Sequence, residues 1–197
     1  MVSADNILKS LKKYNGDIEF RSDALNAFLQ MKEAAKNDEI DLDIVNNSFR
    51  SPEVVSETSY SSFNQNATFG TYNIAGKYMS EHHVGLAIDF SPVVSRQAVP
   101  HGTEEGPPFI EKRRKEYQWL RENAYKYGFI ERFTMNNRLY TGYIEEPWHW
   151  RYVGVEIATD YFKKQYSSYE KYYCEKSVNI LDSKRKKPNC FCDWYLL

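Results

Sequence analysis

One alternating run of residues, VGLAIDFSPV at positions 84–93, limits the possible folds of this chain more than any other segment. Its period of two is typical of a strand that buries one face. Leu86, Ile88 and Phe90 share the apolar face, whereas Asp89 lies on the opposite face. Because an unpaired carboxylate is costly to bury, this pattern predicts a partner for Asp89.

A second alternating segment, PWHWRYVGV at positions 147–155, predicts another half-buried strand. His149 shares one face with Arg151 and Val153. The other face is aromatic and predicts core packing through Trp148, Trp150 and Tyr152. A cation bound between Asp89 and His149 would remove the cost of burying the carboxylate.

The other segments mix helices and strands without regular alternation, which favours an α+β fold with a small antiparallel sheet flanked by helices. Helices are predicted over residues 22–38, 108–127 and 156–173. Further strands are predicted over residues 40–51, 128–133 and 138–144, with loops over residues 52–80 and 96–108.

Particular residues mark the ends of two predicted helices. Ser22 is a suitable N-cap for the first helix, whose apolar side is formed by Leu25, Phe28, Leu29 and Met31. Pro108 opens the second helix, and Gly128 follows its last turn.

Composition argues against several classes of function. The chain has 197 residues, is 42% apolar and has a net charge of −1, so it can form a core and has no overall field that favours nucleic acid. No apolar run of about eighteen residues is present, so no membrane span is expected. The chain is expected to be cytoplasmic as written, or to act in the cell envelope or outside the cell as a processed fragment or phage product.

Three cysteines lie near the end of the chain: Cys174, Cys190 and Cys192. An odd number does not give a closed disulfide framework. We expect reduced, partly buried thiols, with a thiolate metal site as the alternative.

His82, Asp89 and His149 are of the residue types that bind zinc. A catalytic zinc site takes three such ligands, at about 2.0–2.2 Å, and one open position. Glu146, three residues before His149, could act as a general base. By spacing alone, all four could equally be satisfied core or surface residues. In an extended segment His83 would point away from His82, toward a second layer around the metal or toward a substrate.

Two motifs resemble those of the VanY-type D-alanyl-D-alanine carboxypeptidases, zinc peptidases of the superfamily that includes lysostaphin-like enzymes and the hedgehog domain. SEHHVGLAIDF at 80–90 fits S-x-H-x-x-G-x-A-x-D, and EPWHWRYVGVE at 146–156 fits E-x-W-H. SFRS at 48–51 resembles the family's G-Y-R-S. The resemblance extends from about residue 18 to about residue 173. It implies the hedgehog/D-Ala-D-Ala-peptidase type of α+β fold, in which the small antiparallel sheet carries the zinc ligands.

The resemblance also implies the roles of the matched residues. His82, Asp89 and His149 would bind one Zn²⁺, and Glu146 would be the catalytic base for attack by a zinc-activated water.

Substrate contacts are implied for two further matched residues. Arg50 would lie against the scissile carbonyl or the terminal carboxylate, and Ser80 would help to hold that carboxylate. His83 is a third candidate for substrate binding. Gly85 would let the chain turn from the first ligand into the strand. The family's glutamine five residues after the arginine is replaced by Val55, which bears on peptide specificity.

The implied activity is removal of the C-terminal D-alanine from a peptidoglycan stem peptide, by D,D- or L,D-cleavage. The alternatives are a non-catalytic zinc-binding module that recognises a wall peptide or a protein partner, and a peptidoglycan endopeptidase. Residues 1–173 would form a single catalytic domain, and residues 174–197 a C-terminal extension of unknown role. The oligomeric state is left open.

Overall fold

The structure, a computed structural model, describes residues 11–14, 18–44, 49–51, 65–66, 68, 75, 79–91 and 114–181. The strands are β1 (Leu11–Tyr14), β2 (Ile18–Arg21), β3 (Asp43–Ile44), β4 (Ala87–Ser91), β5 (Phe129–Phe133) and β6 (Glu146–Tyr152). The α-helices are α1 (Ser22–Asn37), α2 (Arg114–Asn123), α3 (Arg138–Thr141), α4 (Val155–Lys163) and α5 (Tyr169–Leu181). Two 3₁₀ turns, Glu81–Val84 and Ala124–Tyr127, precede β4 and β5.

The main sheet has four antiparallel strands in the order β3-β4-β6-β5, and β1 pairs with β2 in a separate ribbon. Helices surround this small sheet, and the predicted α+β fold is confirmed. The register of the two central strands, β4 and β6, places Asp89 opposite His149. Residues directly opposite each other in an antiparallel pair point to the same face, so these two side chains share one face of the sheet.

The other face of β4 and β6 forms the hydrophobic core with α1. Ile88 and Phe90 from β4 and Trp150 from β6 are almost fully buried there, together with Phe28 of α1. The rings of Phe28 and Phe90 lie 6.1 Å apart between centroids. The two alternating patterns therefore predicted correctly which faces of β4 and β6 enter the core. Because those faces are packed, the opposite face of each strand carries the polar residues.

Helix α1 covers nearly the predicted range, but its N-cap is Arg21 rather than Ser22, and no side chain caps it. The Arg21 guanidinium instead bonds the Asp23 carboxylate in the first turn, with two contacts of 2.6 Å. The predicted apolar side is also wrong at Leu29, which is 43% exposed. Leu29 follows the buried Phe28 directly and is therefore rotated about 100° away from the core.

Residues 138–144 do not form the predicted strand, because residues 138–141 are the short helix α3. The cause is a local turn built by Asn137. Its side-chain oxygen accepts the Thr134 N–H at 2.9 Å, and its amide donates to the Arg132 carbonyl at 2.9 Å. Such side-chain bonds to the backbone compete with strand pairing.

The single helix predicted over residues 156–173 is also wrong, since α4 and α5 are separate helices. Gln165 between them has a φ of 54°, which a continuous helix does not allow. Ser168 then accepts the Lys171 N–H at 3.1 Å and supports the start of α5. Helix α5 continues past residue 173 to Leu181.

Two other predicted elements are confirmed only in part. The helix predicted over 108–127 is seen as α2 and the following 3₁₀ turn, and Gly128 ends it at a φ of 87°. Its predicted start at Pro108, like the loop over 96–108 and most of the loop over 52–80, lies outside the described residues. The strand predicted over 40–51 is a strand only at β3, and residues 45–48 lie outside the described part.

The C-terminal helix corrects the expectation for the cysteines. Cys174 of α5 is disulfide-bonded, so it is neither a reduced thiol nor a thiolate metal ligand. Cys190 and Cys192 lie outside the described residues. None of the helices that the structure describes is long and apolar enough to cross a membrane.

Candidate metal centre

The predicted ligand His82 lies on a 3₁₀ turn rather than on the sheet, so the expectation that the sheet carries all three ligands is corrected. The turn begins where the Ser80 hydroxyl accepts the His82 N–H at 3.3 Å. It ends at Gly85, which has a φ of 66°. A Cβ on Gly85 would lie 2.8 Å from the backbone nitrogen of Arg21, so only glycine fits this turn into β4.

Three donor atoms meet where this turn reaches the polar face of the sheet. His82 Nε2 lies 3.2 Å from His149 Nδ1 and 3.3 Å from Asp89 Oδ1. His149 Nδ1 lies 3.2 Å from Asp89 Oδ1. These atoms form a nearly equilateral triangle. Two ligands of a tetrahedral zinc ion with bonds of about 2.0–2.1 Å are separated by about 3.3–3.4 Å, so the triangle has the size of one face of that tetrahedron.

The hydrogen bonding of Asp89 supports the same fit. Its Oδ1 atom is buried and has no well-directed hydrogen bond among the described residues, although two imidazole nitrogens lie within 3.3 Å. A buried carboxylate oxygen without a donor is costly unless a cation binds it. His82, Asp89 and His149 can therefore hold one metal ion, and their donor set of two nitrogens and one oxygen suits zinc.

The charges of the three side chains depend on each other in the metal-free protein. Burial lowers the pKa of His82, which keeps its imidazole neutral. Burial also acts against ionisation of His149, but the neighbouring Asp89 and Glu81 carboxylates raise its pKa to about 9. Against the effect of burial, the two imidazoles hold the pKa of the Asp89 carboxyl well below its usual range. Metal binding at His149 Nδ1 must therefore displace a proton.

Glu146 lies beside this triangle at the start of β6 and is 6% exposed. Its Oε2 atom is 3.8 Å from His149 Nδ1. Glu146, His82 and His149 line a cavity of about 230 Å³ that also includes Arg50 and Ser80 in its wall. Five residues predicted for catalysis, metal binding or carboxylate binding therefore line one cavity.

The backbone of Arg50 is fixed to the histidine pair. Its N–H donates to the His82 carbonyl at 3.3 Å, and its carbonyl lies 2.7 Å from His83 Nδ1. His83 is 9% exposed and is connected to Arg50 rather than to the cavity wall. The predicted substrate contact of His83 remains a prediction, and its observed contact is with the backbone that carries Arg50.

A group of charged residues on the Nε2 side of His149 was not predicted from the sequence. Glu81 Oε2 lies 3.1 Å from His149 Nε2, and the guanidinium groups of Arg132 and Arg151 bond Glu81 Oε1. Although burial favours its neutral form, Arg132, His149 and Arg151 hold the pKa of the Glu81 carboxyl well below its usual range. Arg132 lies on β5 between Glu131 and Phe133 and is 6% exposed, and no alternation in this segment indicated that its charge is buried.

A larger groove, of about 500 Å³, is lined in part by residues of β5. It is lined in part by Tyr117, Arg121, Glu131, Glu145, Tyr161 and Phe162, and by none of the three candidate metal ligands. Size alone therefore does not identify the reactive site in this protein.

Comparison with known proteins agrees with the motifs. Residues 17–155 match the family model described as "VanY: D-alanyl-D-alanine carboxypeptidase". The chain belongs to the VanY family of D-alanyl-D-alanine carboxypeptidases. A D-alanyl-D-alanine carboxypeptidase of Enterococcus faecalis (strain ATCC 700802 / V583) is 40% identical over 80 residues, which are 41% of this chain and 25% of that protein. YodJ of Bacillus subtilis (strain 168) is 34% identical over 140 residues, 70% of this chain and 48% of that protein. The chain thus spans at most about half the length of these two relatives.

Solved structures of VanY and LdcB enzymes have the same fold. The structure of the LdcB LD-carboxypeptidase is 30% identical, with a TM-score of 0.59 over 83% of this chain and 72% of that one. VanYB in complex with D-alanine-D-alanine has a TM-score of 0.60 at 24% identity, over 82% of this chain and 86% of that one. A VanY D,D-pentapeptidase mutant in complex with Zn(II) has a TM-score of 0.54 at 24% identity, over 78% and 83%.

Proposed function

We propose that this VanY-family chain is a zinc-dependent carboxypeptidase that removes the C-terminal D-alanine of peptidoglycan stem peptides. The observation that carries the proposal is the triangle of His82 Nε2, Asp89 Oδ1 and His149 Nδ1, with the Glu146 carboxylate beside it in the same cavity. Three ligands, an open side and an adjacent carboxylate are the parts that a metallopeptidase requires.

Zinc held by this triangle would lower the pKa of a water molecule and polarise the scissile carbonyl. Glu146 would accept the proton from that water and then deliver it to the amine of the departing D-alanine. Its buried position next to the triangle supports this role, because proton transfer requires a base within reach of the attacking water. The peptide C–N bond breaks as the new C–O bond is completed.

Arg50 and Ser80 would bind the part of the substrate that carries negative charge. A guanidinium offers planar and permanently charged donors to a carboxylate or to an oxyanion. Both residues line the cavity, and the Arg50 backbone is fixed at its N–H and its carbonyl. A cavity of about 230 Å³ with a cation in its wall suits a short peptide end with a free carboxylate. This favours cleavage at a chain end over cleavage within a cross-linked peptide.

The direct experiment is mass spectrometry of two synthetic stem peptides, a pentapeptide ending in D-Ala-D-Ala and a tetrapeptide ending in D-Ala. The zinc-loaded protein is incubated with each, with and without a chelator. We expect loss of one alanine from at least one peptide and no loss with chelator; the peptide that is cut distinguishes D,D- from L,D-cleavage. Intact peptides in the presence of stoichiometric zinc would contradict the proposal and favour an endopeptidase or a non-catalytic zinc-binding module.

A further inference from the structure

We propose that Glu81 is a positioning residue of the metal centre, which orients the His149 ring, and that α5 supports it through Arg132 and Glu170. The inference rests on the proposed role of His149 as a metal ligand. It does not depend on which peptide is cut, or on whether any peptide is cut.

The orientation of His149 requires a partner for its second nitrogen. The Nδ1 atom belongs to the triangle of donor atoms, so the proton of the neutral ring must be on Nε2. Nε2 lies 3.1 Å from Glu81 Oε2, at hydrogen-bonding distance. A carboxylate that accepts from the second nitrogen of a ligating histidine fixes both the tautomer and the ring.

Glu81 is itself held from the opposite side. Its Oε1 atom accepts from Arg132 Nε at 2.7 Å and forms an ion pair with Arg151 Nη1 at 2.8 Å. Arg151 lies two residues after His149 on β6, and Arg132 lies on the neighbouring strand β5. The Glu81 carboxylate therefore connects the 3₁₀ turn that carries His82 to strands β5 and β6.

The C-terminal helix adds the last member of this network. Arg132 Nη2 donates to Glu170 Oε1 of α5 at 2.7 Å. Tyr169, the neighbour of Glu170, has its ring 5.6 Å from the Arg132 guanidinium and 5.7 Å from that of Arg151. Two carboxylates and two guanidinium groups balance in charge in this partly buried network. Helix α5 lies beyond the residues 17–155 that match the family model, so this support comes from outside the matched region.

The test measures zinc affinity by competition with a chromophoric chelator, without any peptide. We expect Glu81→Gln to weaken zinc binding by about 10–100-fold, the range for partners of metal ligands. Glu170→Gln leaves the contact between Glu81 and His149 in place and is expected to weaken zinc binding less. Glu131→Gln is the matched control, because it makes the same change on the same sheet outside this network, and zinc affinity should be unchanged. Thermal unfolding of each metal-free variant checks that it folds.

A second readout does not depend on any variant. In the ¹⁵N NMR spectrum of the zinc-loaded wild-type protein, His149 should carry its proton on Nε2 and bind metal through Nδ1. Zinc bound through Nε2 of His149, zinc affinity unchanged in both Glu81→Gln and Glu170→Gln, or no zinc binding at all would overturn the inference. A wild-type protein that binds zinc with this tautomer and cuts no stem peptide would leave the inference intact and contradict only the proposed function.

Discussion

Asp89 Oδ1 and His149 Nδ1 lie 3.2 Å apart at directly paired positions of two antiparallel strands. The strand register alone brings them together, and the core on the other face prevents either strand from shifting by one residue. A shift of one residue in either strand would turn the side chain of that strand toward the core. The geometry of the candidate metal centre is therefore a direct consequence of how the sheet packs.

Replacement of Asp89 by asparagine tests this pair. The amide is nearly the same size but lacks the negative charge that a dication requires. We expect zinc affinity to fall more than about 100-fold, beyond the upper range for residues that only support a ligand. Competition with a chelator measures the zinc affinity. Asp160→Asn is the control, because Asp160 forms ion pairs with surface lysines outside the candidate metal centre. Wild-type zinc affinity in Asp89→Asn would show that Asp89 is not a ligand.

Glu146→Gln separates metal binding from chemistry. The amide cannot accept a proton, so kcat for peptide release should fall by about 10²–10⁴-fold while zinc stoichiometry stays at one. The exposed neighbour Glu145 offers the control, and Glu145→Gln should retain wild-type kcat. Retained activity in Glu146→Gln would remove Glu146 from the mechanism.

Arg50→Lys keeps the positive charge and removes the planar pair of donors. If Arg50 stabilises the oxyanion, kcat should fall by about 10²–10³-fold; if it holds the terminal carboxylate, KM should rise instead. Steady-state kinetics on the cleaved peptide distinguish the two, and zinc binding should not change. Arg121→Lys, at a guanidinium that is 63% exposed outside the cavity, should leave both constants unaltered. Unchanged kcat and KM in Arg50→Lys would exclude both roles.

We expect Glu131 to make the stability of the folded protein depend on pH, independently of the metal. Burial raises the pKa of this carboxyl above 4.5, although the Tyr117 hydroxyl and Arg121 act in the opposite direction. The folded protein thus binds the proton more tightly than the unfolded chain, so this contribution to stability is complete below about pH 4.5 and is lost as pH rises through the raised pKa.

Urea unfolding of the wild-type protein and Glu131→Gln over a pH series measures this effect. Relative to the variant, the wild-type free energy of unfolding should decrease with rising pH in that window, by at most about 1.4 kcal/mol per pH unit. Parallel curves for the two proteins would mean that the Glu131 pKa is the same in the folded and unfolded states.

The parts of the structure that the sequence predicts are those with a repeated pattern. Alternation identified the buried faces of β4 and β6, and the two motifs predicted His82, Asp89, His149 and Glu146 in one place. The prediction of the buried faces worked because a period of two translates directly into the two faces of a sheet.

The parts that were missed depend on single contacts between distant or irregular positions. The turn at Asn137 replaced a predicted strand with α3, and Gln165 at a φ of 54° divided a predicted helix. Glu81 occupies a position that its motif leaves unspecified. Its partner Arg132 lies 51 residues away in the chain, and the Glu170 that Arg132 contacts lies a further 38 residues away. Neither periodicity nor spacing reports a contact of that kind.

The most direct measurement for this account is an anomalous difference map at the zinc absorption edge, from crystals of the zinc-loaded protein. We predict one peak, at about 2.0–2.2 Å from His82 Nε2, Asp89 Oδ1 and His149 Nδ1. A map without a peak at these three atoms, or with zinc bound elsewhere in the chain, would contradict the metal centre and the activity proposed from it.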